Sequence, residues 1–172
     1  MPDSLIKPTT GTTVVQDNLL SLEDFSLLNQ TLVSDRFENN FPWYYSPYEE
    51  NTFQFFNNIW ETWLVNSPPQ LFNLFIPLLE ALNVRSLLRI KCNLNIKDSE
   101  HKTIGMHVDY HWDDSLTTVF YLNNNNGGTL FEDGTFIESK SNRSVTFPAN
   151  TKHSGVTQTD SDKRVIINLN YF

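Results

Sequence analysis

Two hydrophobic periods divide the chain. Between Ser21 and Val33, apolar residues recur at helical spacing as Leu22, Phe25, Leu28 and Leu32. Ser21 with Asp24 three residues on makes a capping-box pair, so this stretch predicts a helix. A second helix is predicted after Ser67, where Ser-Pro-Pro-Gln supplies a cap and prolines for the first turn. Leu71, Leu74, Phe75, Leu78, Leu79 and Leu82 would form its apolar face, and Pro77 inside the pattern should kink or shorten it. Between the two lies FPWYYSPYEENTFQFFNNIW, aromatic and broken by Pro42 and Pro47, which reads as extended segments or loops packed on a sheet.

From Ser86 the period becomes two. Leu88, Ile90, Cys92 and Leu94 fall on one face of a strand, and Arg89, Lys91, Asn93 and Asn95 on the other. The runs TTVFYLN, GTLFE, TFIES, SVTFP and RVIINLNYF follow, separated by turn signals at NNNNGG, Asp133-Gly134 and Pro148-Ala149-Asn150. Many short strands at close spacing predict a mainly β fold with flanking helices, of sandwich or jelly-roll type. At 172 residues the chain suits one domain, with residues 86–172 as its core and 1–15, polar and Pro-bearing, expected to be flexible.

Composition narrows the function classes. A formal charge of −8 argues against a partner held by its phosphate backbone. The single Cys92 cannot close an internal disulfide, and no basic segment followed by an apolar run opens the chain. The most apolar stretch, Leu71 to Leu82, is too short to span a bilayer. These features point to a cytoplasmic protein without a membrane partner.

The candidate chemistry begins at His107-Val108-Asp109. Residues at i and i+2 of an extended chain face the same side, so an imidazole and a carboxylate can converge on one metal ion. His153, between the run SVTFP and the last strand, is the best third ligand. Two imidazoles and one carboxylate on one face of an octahedral ion leave the opposite positions open, the arrangement expected of non-haem Fe(II) oxygenases. Arg164 follows on the last strand; its guanidinium can pair bidentately with the carboxylate of an oxoacid cosubstrate. With Arg164 inward, Ile166, Asn168 and Asn170 share its face. His101 and His111 have no place in this set.

The pieces HVDYHW (107–112), FYLNNNNGGTLFEDG (120–134), SVTFPANTKHSGVT (144–157) and KRVIINLNYF (163–172) together resemble the 2-oxoglutarate/Fe(II) oxygenase superfamily, in its prolyl 4-hydroxylase-like branch. The resemblance covers the C-terminal half. It implies a double-stranded β-helix, cupin-like in its core, with helices on one side. It implies Fe(II) held by His107, Asp109 and His153, with 2-oxoglutarate anchored by Arg164 and O2 as the oxidant. Tyr121 occupies a position that in such enzymes often adds a hydrogen bond to the oxoacid. The strand before the triad commonly offers a tyrosine there; here the inward candidates are Asn93 and Asn95, and Asn95 takes that place. Gly127-Gly128 would only shape a hairpin. The implied reaction is hydroxylation of a C–H bond, with 2-oxoglutarate decarboxylated to succinate and CO2. A protein side chain, prolyl by resemblance, is the first substrate class, and a small molecule the second. A cupin-like module that holds a metal without turnover is the alternative from another class.

Overall fold

The computed structural model describes residues 12–35, 41–47, 53–62, 64–65 and 67–172. Their elements run β1 (Val14–Asp17), α1 (Leu22–Leu32), β2 (Tyr44–Pro47), β3 (Phe53–Glu61), β4 (Leu64–Val65), α2 (Pro69–Asn73), α3 (Ile76–Ala81), β5 (Leu87–Ile96), β6 (Leu116–Tyr121), β7 (Gly128–Phe131), β8 (Phe136–Glu138), β9 (Arg143–Pro148), β10 (His153–Val156) and β11 (Lys163–Tyr171). The large sheet has the order β1-β9-β6-β11-β5-β3-β2, with β4 paired to β3, and the small one β10-β7-β8. All pairings are antiparallel. Two isolated bridges, Thr103 to Val156 and His107 to His153, lay a further extended segment along β10.

After β5 the chain moves from sheet to sheet: the 103–107 segment to the small sheet, β6 to the large one, β7 and β8 to the small, β9 to the large, β10 to the small, and β11 to the large. Two sheets wound alternately from one chain make a jelly-roll core, and each strand must present one face to its interior. Strand β11 shows the division. Val165, Ile167 and Leu169 point outward, into a cluster with Ile90 and Cys92 of β5, Phe120 of β6, Leu28 and Leu32 of α1, and Leu78 of α3. Ile166 points inward, to Val119, Tyr121, Phe131, Val145 and Phe147. Helices therefore cover the outer face of the large sheet, while the inner face is free to build a cavity. Each fully buried Leu or Phe of the outer layer contributes about 1.5–3 kcal/mol.

The first helix starts where its cap pair placed it. The Ser21 side chain accepts from the Asp24 amide at 3.1 Å, and its hydroxyl donates to the Asp24 carboxylate at 2.6 Å. Ser21→Ala should lower unfolding free energy by about 0.5–2 kcal/mol, read as an earlier urea midpoint at unchanged slope.

The second predicted helix is two short ones. Pro68, not Ser67, occupies the N-cap of α2, without a side-chain cap bond. The chain breaks at Leu74–Phe75, and Pro77 falls in the first turn of α3, where its missing N–H costs nothing. The aromatic zone forms the β2–β3 edge of the large sheet; its residues 48–52 lie outside the described residues. So do residues 1–11 of the stretch expected to be flexible, whereas Val14 and Val15 of that stretch pair with Thr146 and Val145 in the sheet. Strands β1 and β10 were not predicted as such. Among the described residues no helix is long and apolar enough to cross a membrane.

Candidate metal centre and its cavity

The segment that precedes β6 carries His107 and Asp109 past the end of β10. His107 and His153 exchange backbone hydrogen bonds at 2.9 Å in both directions, which fixes their rings side by side with centroids 4.7 Å apart. Asp109 closes the group: its Oδ1 lies 4.0 Å from His107 Nε2 and its Oδ2 lies 3.9 Å from His153 Nε2. One ligand atom from each of the three lies within 4.8 Å of the others. Three donors so close, with neither Nε2 hydrogen-bonded to another described residue, can hold one metal ion.

The imidazoles are oriented for it. His107 Nδ1 lies 2.9 Å from the Gly105 carbonyl, and His153 Nδ1 lies 3.0 Å from the Thr151 carbonyl. A carbonyl can only accept, so Nδ1 carries the proton in both rings and each Nε2 keeps its lone pair toward the common point. Gly105 adopts φ 77°, a left-handed conformation that glycine takes without a Cβ penalty, and this turns its carbonyl to His107. Burial pushes the His153 pKa down, against the pull of the Thr151 carbonyl and Asp109, which favours the neutral ligating form.

Asp109 is anchored from three sides. Arg89 Nη2 donates to Oδ1 at 2.9 Å, while Thr117 Oγ1 and Asn170 Nδ2 donate to Oδ2 at 2.8 and 3.0 Å. Burial alone would raise its pKa; the Arg89 charge and the hydrogen bonds from Asn170 and Thr117 outweigh it and hold the carboxyl below its ordinary range. The result is an ionised, immobile carboxylate between two imidazole rings.

The triad opens on a cavity of about 230 Å³ inside the jelly roll. Its floor is the inner face of the large sheet: Arg89, Lys91, Asn93 and Asn95 from β5, and Arg164, Ile166 and Asn168 from β11. The two strands run antiparallel in a register that sets Arg164 opposite Asn95, Ile166 opposite Asn93, Asn168 opposite Lys91, and Asn170 opposite Arg89. Arg164 and the triad thus face one space from opposite ends.

Arg164 is 1% exposed, and among the described residues no carboxylate lies within ion-pairing distance of it. Its Nη2 donates to the Gly128 carbonyl at 3.0 Å, its guanidinium lies 5.8 Å from the centroid of the Tyr121 ring, and its Nε has no partner among the described residues. Burial draws its pKa down, the signature of a cation held out of water without a counter-ion. The glycine pair does more than turn a hairpin. A Cβ on Gly127 would stand 3.1 Å from Arg164 Cδ and 2.7 Å from the Val156 carbonyl, so its absence makes room for the arginine stem.

The remaining candidates are placed as follows. Asn95 lines the cavity beside Arg164. Tyr121 does not line it; the ring lies beneath the guanidinium, and its hydroxyl donates to Thr129 Oγ1 at 2.7 Å. His101 Nδ1 contacts the Thr157 carbonyl on the surface, and His111 is exposed. Four side chains escaped the sequence reading as site residues: Arg89, Thr117, Lys91 and Gln54 of β3, the last also lining the cavity. The two cations lie on the polar face of β5, so that alternation was the signal that could have named them.

Comparison of whole structures finds this jelly-roll fold in solved 2OG-Fe(II) oxygenases. An oxidoreductase of the 2OG-Fe(II) oxygenase family from Burkholderia pseudomallei superposes with a TM-score of 0.66 at 15% identity, over 92% of this chain and 85% of that one. The viral collagen prolyl hydroxylase of Paramecium Bursaria Chlorella virus-1, solved with 2OG, gives 0.57 at 17% identity over 93% and 95%. The non-haem alpha-ketoglutarate-dependent epimerase SnoN of nogalamycin biosynthesis gives 0.64 at 13% over 93% and 77%. No sequence-family model and no curated protein matches this chain.

Proposed function

We propose that this chain is a non-haem Fe(II)- and 2-oxoglutarate-dependent dioxygenase that hydroxylates a C–H bond. One observation carries the reading: a buried guanidinium with no carboxylate partner among the described residues faces the same small cavity as the His–Asp–His group. A bare metal binder has no use for that cation, because burying it unpaired costs stability. A dicarboxylate cosubstrate, with one end at the metal and the other at Arg164, gives both features a purpose.

The residues fit such a pair. His107, Asp109 and His153 would hold Fe(II); Asp109 is held ionised and His153 is pushed toward its neutral form. Arg164 would take the distal carboxylate of 2-oxoglutarate, with Asn95 beside it and Tyr121 supporting the guanidinium from below. A volume of about 230 Å³ falls short of the ~300–1000 Å³ of drug-sized sites and suits a five-carbon diacid. When bound, Fe(II) with 2-oxoglutarate and O2 supplies the oxidising chemistry, with the oxoacid lost as succinate and CO2 and a hydroxyl placed on substrate carbon. The protein's part is to fix the carboxylate ligand through Arg89, Thr117 and Asn170, to orient the cosubstrate through Arg164, and to keep water from the oxidant within the barrel.

For the substrate, similarity to the viral collagen prolyl hydroxylase favours a prolyl side chain. The lining favours a small polar molecule instead, since Gln54, Lys91, Asn93 and Asn168 all face the cavity.

The test is succinate formation without added substrate, measured with and without Fe(II) and 2-oxoglutarate under air. Slow turnover that requires both is the expected result. A protein that binds metal yet forms no chelate with 2-oxoglutarate, and no succinate, would instead be a metal-holding module of the same fold.

A further inference from the structure

The cavity holds one more cation than the proposed reaction uses. Arg89 is committed to Asp109, and on the reading above Arg164 is committed to the cosubstrate. Lys91, on the same inner face, has no hydrogen bond and no ion pair with any described residue. Its ammonium lies 5.2 Å from the centroid of the Phe56 ring on β3, along the flank of the cavity that β3 closes. Gln54 of β3, 4% exposed, lines that flank as well.

Lys91 is also badly placed to assist Arg164. Asn95, the register partner of Arg164, lies four positions further along β5, roughly 14 Å of strand. The side chains around Lys91 also carry unsatisfied atoms. Asn168 stands opposite Lys91, its Nδ2 3.5 Å from Asp109 Oδ2, and Asn93 stands two residues along; both are buried, and the Oδ1 of each has no partner among the described residues. Buried polar atoms of native proteins rarely go unsatisfied, and here three neighbouring groups, one positive and two amide, face the same open space.

We propose that Lys91, flanked by Asn93 and Asn168, is the anchor for an anionic group of the primary substrate. The substrate class is then a small molecule with a free carboxylate or phosphate ester, carrying an N–H or O–H donor near it. An internal prolyl residue of a peptide chain offers no such charge. This inference rests on the dioxygenase reading, since it takes the triad and Arg164 as already occupied. Lys91 acts as a specificity residue: its ammonium would seat the anion and so aim a neighbouring C–H bond at the metal end, where Arg89 and Asn170 hold Asp109.

The experiment uses the full chain with Fe(II) and 2-oxoglutarate under anaerobic conditions and follows the visible band of the chelate. Matched probes are titrated in: N-acetyl-L-proline against N-acetyl-L-prolinamide, glycerol 3-phosphate against glycerol, and inorganic phosphate alone. At least one anionic probe should perturb the band at a concentration about tenfold or more below its neutral counterpart. Lys91→Gln keeps most of the stem beside Phe56 and should erase that preference, whereas Lys91→Arg should keep it. The dissociation constant for 2-oxoglutarate should stay within about twofold in both variants, because its distal end is held by Arg164. Equal binding of charged and neutral probes, no binding of any anionic probe, or a preference that survives in Lys91→Gln would overturn the proposal. So would a large rise in the 2-oxoglutarate constant, which would assign Lys91 to the cosubstrate. The arms separate the two readings: a chelate band that never forms in the wild-type protein fails the dioxygenase reading itself, and a normal band without charge preference fails only this one.

Discussion

Asp109→Ala and His107→Ala should each weaken metal binding by more than about a hundredfold, yet only the first should cost the fold appreciable stability. Outer-shell partners of metal ligands are typically worth about 10–100-fold in affinity, so the loss of a ligand itself must exceed that. The two ligands differ in what else they hold. The Asp109 side chain is 4% exposed and accepts from Arg89, Thr117 and Asn170. Removing it strands a guanidinium and two dry donors, a loss of roughly 2–4 kcal/mol. The His107 side chain is 45% exposed and has one hydrogen bond, to Gly105, so its truncation should shift stability by less than about 1 kcal/mol. Metal titration followed by optical spectroscopy, beside thermal melts of the metal-free proteins, separates the two effects. Retention of tight metal binding by His107→Ala would remove that residue from the centre. Equal melting of the two variants would mean that the network around Asp109 carries no load.

The contrast between these residues follows from how much of the site the sequence expressed. Strand periodicity carried the inner face of β5 and β11 without ambiguity, because a two-residue period leaves a polar residue on a buried strand no other direction to point. That is why Arg89, Lys91, Asn93 and Asn95 could be assigned one face before their surroundings were known. Partnership across the barrel is a different matter. Arg89 is 20 residues from Asp109, and Asn170 is 61 residues from it. Nothing local distinguishes an arginine that anchors a carboxylate from one on a solvated face. The same reason hid Lys91.

The misread elements also have physical causes. Strand β1 follows a polar, Pro-bearing segment and has only two apolar residues; its pairing to β9 is set by the sheet edge it finds rather than by its own pattern. Strand β10, His-Ser-Gly-Val, lacks any alternation that would mark it. It is extended because β7 on one side and the 103–107 segment on the other supply its hydrogen bonds. The hydrophobic period of the leucine-rich stretch is helical, and the stretch forms α2 and α3. Pro77 then decided the outcome, since a proline that would break the middle of one helix is tolerated in the first turn of another.

Replacing Arg164 with Met should have opposite effects on the free and the cosubstrate-bound protein. In the free protein the guanidinium is fully buried with one hydrogen bond and no counter-ion among the described residues. An apolar side chain of similar length removes that desolvation cost at the loss of a single charge-assisted bond to a carbonyl, about 1.5–3 kcal/mol. Comparable replacements of buried ionic groups are neutral or stabilising by about 1–4 kcal/mol. The variant should therefore melt at or above the wild-type temperature when no cosubstrate is present. With 2-oxoglutarate the order should invert. Two charge-assisted bonds to a carboxylate, at about 1.5–3 kcal/mol each, predict a dissociation constant raised by roughly 10²–10⁴-fold. Cosubstrate at about a hundred times its wild-type constant stabilises the native protein by about 2.7 kcal/mol, and the variant would gain almost none of it. Lys in place of Arg should recover only part of the binding, because a point charge lacks the planar fork. A variant less stable than wild type in both states would mean that Arg164 is a structural cation, with Gly128 and the Tyr121 ring as sufficient partners. Crossing melting curves would mean that its desolvation is tolerated for the sake of the carboxylate it receives.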